Sequence, residues 1–134
     1  MKQKSLVVIF FTLLAASLFS SCKDQVTGDT SEIVFPASNV SYGGQVQPLF
    51  DRGCAFSGCH AGDTPPLGLN LESYQNALSS DPGVILPRDT TNSRIMWRIE
   101  GTHGVRQEPP NRAPLTPNQI KGIGTWIMEG AKNN

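Results

Sequence analysis

Apolar residues fall along this chain in short bursts, separated by long polar stretches rich in proline and glycine. The first burst, Leu6 to Phe19, is nearly continuous and follows Lys2 and Lys4, the basic-then-apolar order of an export signal. It is too short and too N-terminal to read as a permanent membrane span. Residues 23 to 41 then hold a single apolar patch, Ile33-Val34-Phe35, stopped by Pro36 and lacking periodicity, which reads as part of a flexible tether. Val46, Leu49 and Phe50 follow at i, i+3, i+4 and predict a short helix over Gly44–Arg52, with Pro48 tolerated only in its first turn. Leu69 to Leu78 predicts a second helix, starting near Leu71 or Ser73 and ended by the turn signature Asp81-Pro82-Gly83. Ser93 is placed to cap a third, in which Ile95 and Ile99 share a face and Gly101 is the stop. The last helix opens on Thr116-Pro117-Asn118-Gln119, a capping-box pattern with proline at the first helical position. Ile120, Ile123 and Ile127 form its buried stripe and Gly130 stands at its C-terminal cap. Gly122 and Gly124 each cost about 1 kcal/mol inside a helix, so close approach of another helix is expected there. No segment alternates as a strand does and no repeat is visible, so the expected fold is all-α, three to four short helices joined by long loops.

Composition narrows this picture. With 134 residues and 16% charged side chains, the chain suits one small domain, and its 7% aromatic content makes for a thin core. Domains of this size often need covalent or cofactor help, and loops this long need something to pack around. A large flat apolar cofactor would supply it. The segment Leu18-Phe19-Ser20-Ser21-Cys22 resembles the lipobox of bacterial lipoproteins, in which the cysteine is lipidated and becomes the new N-terminus. The expected organisation is a lipoprotein-type signal over 1–21, a tether over 22–41 that holds the domain off a lipid surface, and one folded domain over 42–134. Of three cysteines in an exported chain, lipid on Cys22 consumes the odd one and leaves the pair Cys54 and Cys59. Without Lys2 and Lys4, nine basic residues face eleven acidic ones, a balance that does not suggest nucleic-acid binding. No nucleophile–base pair or paired carboxylates stand at telling spacing, so catalysis is not expected.

The remaining pair lies in Cys54-Ala-Phe-Ser-Gly-Cys59-His60, which supports three chemistries. Two nearby thiols followed directly by a histidine are what covalent haem attachment requires: the sulfurs add to the two vinyl groups and the imidazole becomes the proximal iron ligand. The usual spacing has two intervening residues; here there are four, and Ser57-Gly58 could let the extra two bulge outward. A Cys54–Cys59 disulfide is also compatible with an oxidising compartment, although so short a loop gains little from it. Zinc could use Cys54, Cys59, His60 and His103, but lacks a second separated ligand pair.

The order of segments from Val46 to the end, VQPLFDRGCAFSGCHAG, LGLNLESYQNAL, GVILPRDTTNSRIMWRI and EPPNRAPLTPNQIKGIGTWIMEGAKNN, resembles planctomycete-type cytochrome c domains and their relatives in bacterial lipoproteins. The resemblance implies a class I-like cytochrome c with one covalent haem c held by Cys54, Cys59 and His60, one-electron transfer, and redox partner proteins. In those relatives the last loop carries Met-Pro-Pro, whose methionine looks like the second axial ligand; here Glu108-Pro109-Pro110 stands instead. Either the iron is five-coordinate or another side chain reaches it, with His103 the first choice and Met96 or Met128 the weaker ones. The loop Pro65-Pro66-Leu67-Gly68 resembles the proline loop that fixes the proximal histidine, which assigns Pro66 to the site. Arg94, within the arginine-rich stretch that also holds Arg88, Arg98, Arg106 and Arg112, is the candidate partner of haem propionates. Trp97 and Trp126 are expected mainly to pack helices.

Overall fold

A computed structural model describes residues 29–134; the expected signal, Cys22 and the start of the tether lie outside them. The described residues contain no strand, and their arrangement is all-α: α1 (Gln47–Gly53), α2 (Tyr74–Ser79), α3 (Arg94–Glu100) and α4 (Pro117–Met128). None of these helices is long and apolar enough to cross a membrane.

Each helix starts for a local reason. α1 is entered through a single wide turn, Tyr42–Val46, begun by Ser41, whose Oγ accepts from the Gly44 amide at 3.1 Å. Pro48 falls in the first turn of α1, where its missing N–H costs nothing, and Val46, Leu49 and Phe50 are all buried as their spacing predicts. Ser73 caps α2 by accepting from Asn76. In α4 the full capping box forms: Thr116 Oγ1 accepts from the Gln119 amide and Gln119 Oε1 accepts from the Thr116 amide.

Ser93 departs from its expected role. Its fully buried hydroxyl donates to the Asp89 carbonyl at 2.6 Å and accepts from the Leu86 amide at 2.8 Å, so it closes the preceding turn and does not cap α3. The first amides of α3 find backbone partners, Arg94 N–H on Gly83 O and Ile95 N–H on Val84 O, which satisfies the orphan donors without a side-chain cap. Gly101 ends α3 in the left-handed region at φ 67°, a conformation that costs glycine little.

The core gathers on α4. Trp126, Ile123 and Ile127 are fully buried, and Trp126 lies against Tyr42, which in turn meets Tyr74 edge-on at 5.1 Å between ring centroids. The expectation that Trp126 packs helices is met here, with its indole N–H donating to Lys132 O at 2.9 Å. Gly124 is where α3 approaches, with Met96 at ordinary contact distance. Gly122 serves a different neighbour from the expected helix. A Cβ there would lie 2.1 to 2.4 Å from Phe35 ring and Cβ atoms, so the notch accepts the Phe35 side chain.

Residues 30–40, read from sequence as tether, are thus docked along α4 with Ile33, Phe35 and Val40 buried. The physical reason is hydrogen bonding as much as burial. Asn118 accepts from the Phe35 amide at 2.8 Å and donates to its carbonyl at 3.0 Å, Gln119 Nε2 donates to the Thr30 and Ile33 carbonyls, and the Glu129 carboxylate accepts from Asn39 and Val40. An extended strap with these partners needs no periodicity of its own, which is why pattern reading missed it.

The two helical glycines predict opposite responses. Gly122→Ala forces the Phe35 ring out of its notch and should destabilise the domain by about 1–3 kcal/mol. Gly124→Ala meets only ordinary contact, nearest at 3.4 Å from Met96 Cε, and should be neutral or stabilise by up to ~1 kcal/mol through helix propensity. Urea unfolding of the two variants beside the wild type checks the contrast; equal effects would contradict the strap's placement.

Candidate functional site

The cysteine loop grows directly from the end of α1. Cys54 and Ala55 amides both donate to Phe50 O, the Cys59 amide donates to Phe56 O, and the His60 amide returns to Cys54 O at 3.0 Å. That last bond brings the histidine back beside the first cysteine. The two additional residues are absorbed by the turn between, with Gly58 at φ 81° and open space around it. Both thiols are unbridged and partly buried.

His60 is held from two sides. Its carbonyl accepts from the Leu71 amide at 2.8 Å, and its Nδ1 lies 3.2 Å from Leu69 O. With Nδ1 as donor to that carbonyl, the ring keeps the tautomer in which Nε2 carries the free lone pair. The carbonyl belongs to the residue just after the proline turn Pro66–Gly68, so the turn positions the acceptor without supplying it. A polar clasp closes this segment: Asn70 Nδ2 donates to Gly62 O and to Glu72 Oε2, and Glu72 Oε2 also accepts from the Gly62 amide. These bonds, chiefly the one from Gly62, lower the pKa of the Glu72 carboxyl.

Cys54, Cys59 and His60 open onto one cavity of about 540 Å³, within the ~300–1,000 Å³ span of sites that bury small organic ligands. Its walls are largely apolar and come from three of the helices and the loops: Phe50 from α1, Leu71 and Val84 from the loops, Ile95 and Ile99 from α3, and Ile123 from α4. Burial pushes the Cys54 thiol up to about 12, with the nearby Glu108 charge acting in the same direction. The accessible part of Cys54 borders this cavity, so its partial exposure and its desolvation agree.

Of the residues singled out from sequence, Pro66, Arg94, Arg98 and Arg112 also line the cavity. Arg94 is paired with Asp81 at 2.7 Å and donates to Pro82 O. Arg112 bridges the last loop to the cysteine loop, its guanidinium 4.2 Å from the Phe56 ring centroid, a contact of about 0.5–1 kcal/mol. Arg88 and Arg106 lie elsewhere.

His103, Met96 and Met128 are not brought to the cavity. They border a separate shallow depression with Thr90, Trp97 and Lys121. The His103 ring is exposed and stacked on Trp97 at 4.5 Å, and Met96 is core between α3 and α4. The His103 expected as distal ligand sits in a left-handed turn at φ 54°, stacked on Trp97 of α3 and outside the residues that line the cavity. For the same reason the zinc set of Cys54, Cys59, His60 and His103 does not assemble, and the described residues hold no cluster of three or more His, Cys, Asp or Glu suited to a metal ion.

Glu108 is the cavity residue that sequence reasoning passed over. Its amide donates to Arg98 O at 2.8 Å, and Gln107 beside it donates to Ile99 O, so the 101–115 loop folds back on α3 and delivers Glu108-Pro109-Pro110 to the cavity wall. The signal in the sequence is the mismatch with Met-Pro-Pro, which marks position 108 as different without saying where its side chain lies.

The Asn70–Glu72 clasp can be tested directly. Asn70→Ala should cost about 1 kcal/mol per net hydrogen bond lost, read by denaturant unfolding, and should move the His60 imidazole resonances. Because the folded Glu72 pKa lies below its unfolded value, its contribution is present above ordinary carboxylate pKa values and disappears as pH falls through the folded one. Glu72→Gln should therefore shallow the acid arm of the stability curve; an unchanged arm would rule the clasp out as its source.

Residues 57–111 match the sequence family described as Planctomycete cytochrome C. The matched segment runs from the middle of the cysteine loop through the histidine, α2 and α3 to the end of Glu108-Pro109-Pro110-Asn111. Comparisons with curated proteins and with solved structures return no match.

Proposed function

We propose that this chain is a class I-like, monohaem c-type cytochrome that is tethered to a bacterial membrane by lipid on Cys22 and passes single electrons between partner proteins outside the cytoplasm. The observation that carries it is the convergence of two free thiols and a histidine of fixed tautomer on one apolar cavity, with Cys59 and His60 inside the segment that matches a cytochrome c family and Cys54 just before it.

The residues present fit a covalently held haem. Cys54 and Cys59 would hold it by adding S–H across its two vinyl groups, each sulfur bonding to carbon and each hydrogen staying on the former vinyl, with nothing released. His60 would supply the proximal nitrogen, with Leu69 O keeping the proton on Nδ1 and so the lone pair on Nε2. When bound, the iron supplies a reversible one-electron couple. Leu71, Val84, Ile95, Ile99 and Ile123 exclude water from the cavity, which holds the local dielectric low and makes nearby charges matter to the potential. Arg98 and Arg112 offer guanidinium donors to carboxylate substituents, and Arg94 does so in competition with Asp81. Phe56 and Arg112 close one edge of the cavity. The docked strap over 30–40 belongs to the folded domain, so the tether expected over 22–41 is correspondingly shorter.

Expression of the full chain with cytochrome maturation machinery should give protein whose haem survives denaturation, with one iron per chain. Cys54→Ser with Cys59→Ser should abolish covalent haem, and Cys22→Ser should release the protein from the membrane fraction. Colourless, iron-free wild type with a mass lower by two hydrogens would instead establish the Cys54–Cys59 disulfide.

A further inference from the structure

Resting on that reading, we infer that Glu108 is the second protein ligand of the iron, a carboxylate in the role that a methionine fills in relatives of this sequence.

Four observations lead there. The side chains lining the cavity include no methionine and no histidine besides His60, so the donors left are Asp81, Glu108 and Asn111. Asp81 is committed to Arg94 at 2.7 Å, and Asn111 is exposed and accepts from Arg106 at 3.1 Å. The Glu108 side chain is partly buried and, among the described residues, has neither a hydrogen bond nor an ion pair. It lines the same cavity as Cys54, Cys59 and His60, beside Arg98 and Pro109 of that wall. A carboxylate with no protein partner is available to a metal ion, and a ferric ion is a hard cation that suits an oxygen donor.

The backbone supports the assignment. Glu108 is anchored through its amide to Arg98 O, Gln107 is tied to Ile99 O, and two prolines follow, so the side chain is presented from a stiff loop. Arg98 and Arg112 line the same cavity and would temper the net charge of an anionic ligand. The chemical consequence is a harder, weaker-field donor than a thioether, one that favours ferric over ferrous iron and leaves the ferric state high-spin.

The test uses the full chain matured with covalent haem, as wild type, Glu108→Gln, Glu108→Met and His103→Ala. Haem content of denatured protein is measured first: no covalent haem in the wild type overturns the cytochrome reading and this assignment together. With haem present, imidazole is titrated into the ferric proteins. An internal ligand reduces apparent affinity by the fraction of sites it occupies, so Glu108→Gln, isosteric but neutral, should bind imidazole at least about fivefold more tightly than wild type. Glu108→Met should convert the ferric spectrum from high-spin to low-spin with a sulfur-to-iron charge-transfer band, and His103→Ala should match the wild type in both measurements. A smaller gain in Glu108→Gln, a Glu108→Met protein that stays high-spin, or a spectrum altered by His103→Ala overturns the assignment while leaving the cytochrome reading in place.

Discussion

Helix α4 is the post on which the rest of the structure hangs. Its helix interior holds two glycines: Gly122 leaves a notch that Phe35 of the strap fills, and Gly124 lies at ordinary contact distance from Met96 of α3. At Gly122 the propensity cost of about 1 kcal/mol is offset by burying the Phe35 side chain. The remaining turns of α4 are equally committed, with Trp126 on the aromatic cluster, Ile127 O accepting from the Arg88 amide, and Ile123 forming part of the cavity wall. A domain of four short helices can enclose a large cavity because one helix contacts nearly every segment around it.

The loops are organised by polar clasps in place of a sheet. Asn118, Gln119 and Glu129 hold the strap; Asn70 and Glu72 close the segment after His60; Ser93 folds the turn before α3; Gln107 pins the last loop. Each satisfies backbone groups that no ladder or helix pairs, which is the general requirement for irregular chain at partial burial. The same clasps position chemistry. Leu69 O reaches His60 because Asn70 and Glu72 close the chain around it, and Glu108 reaches the cavity because its amide is bonded to α3.

Much of this was legible in the residue pattern. The four helices, the capping box at Thr116, the proline in the first turn of α1 and the stop at Gly101 all follow from local rules, because each depends on residues within one or two turns. The cysteine loop was legible for a similar reason: both thiols and the imidazole lie within seven consecutive residues, and their proximity needs no tertiary fold. The strap was not, since its partners on α4 lie more than eighty residues away and leave no periodic trace. Nor was the fate of His103. Five residues from Glu108, it looked equally able to reach the cavity, and only the way the loop folds back separates the two.

What the amino-acid order determined alone is therefore the set of helices, the two thiols and imidazole held close together at positions 54 to 60, and the expectation of a cofactor-sized void. Tertiary structure decided which donors share that void: Glu108 inside, His103, Met96 and Met128 outside. The reason is the range of the forces. Capping and periodicity act over a few residues, whereas the route of a loop is set by hydrogen bonds and contacts to elements that the local sequence does not mention.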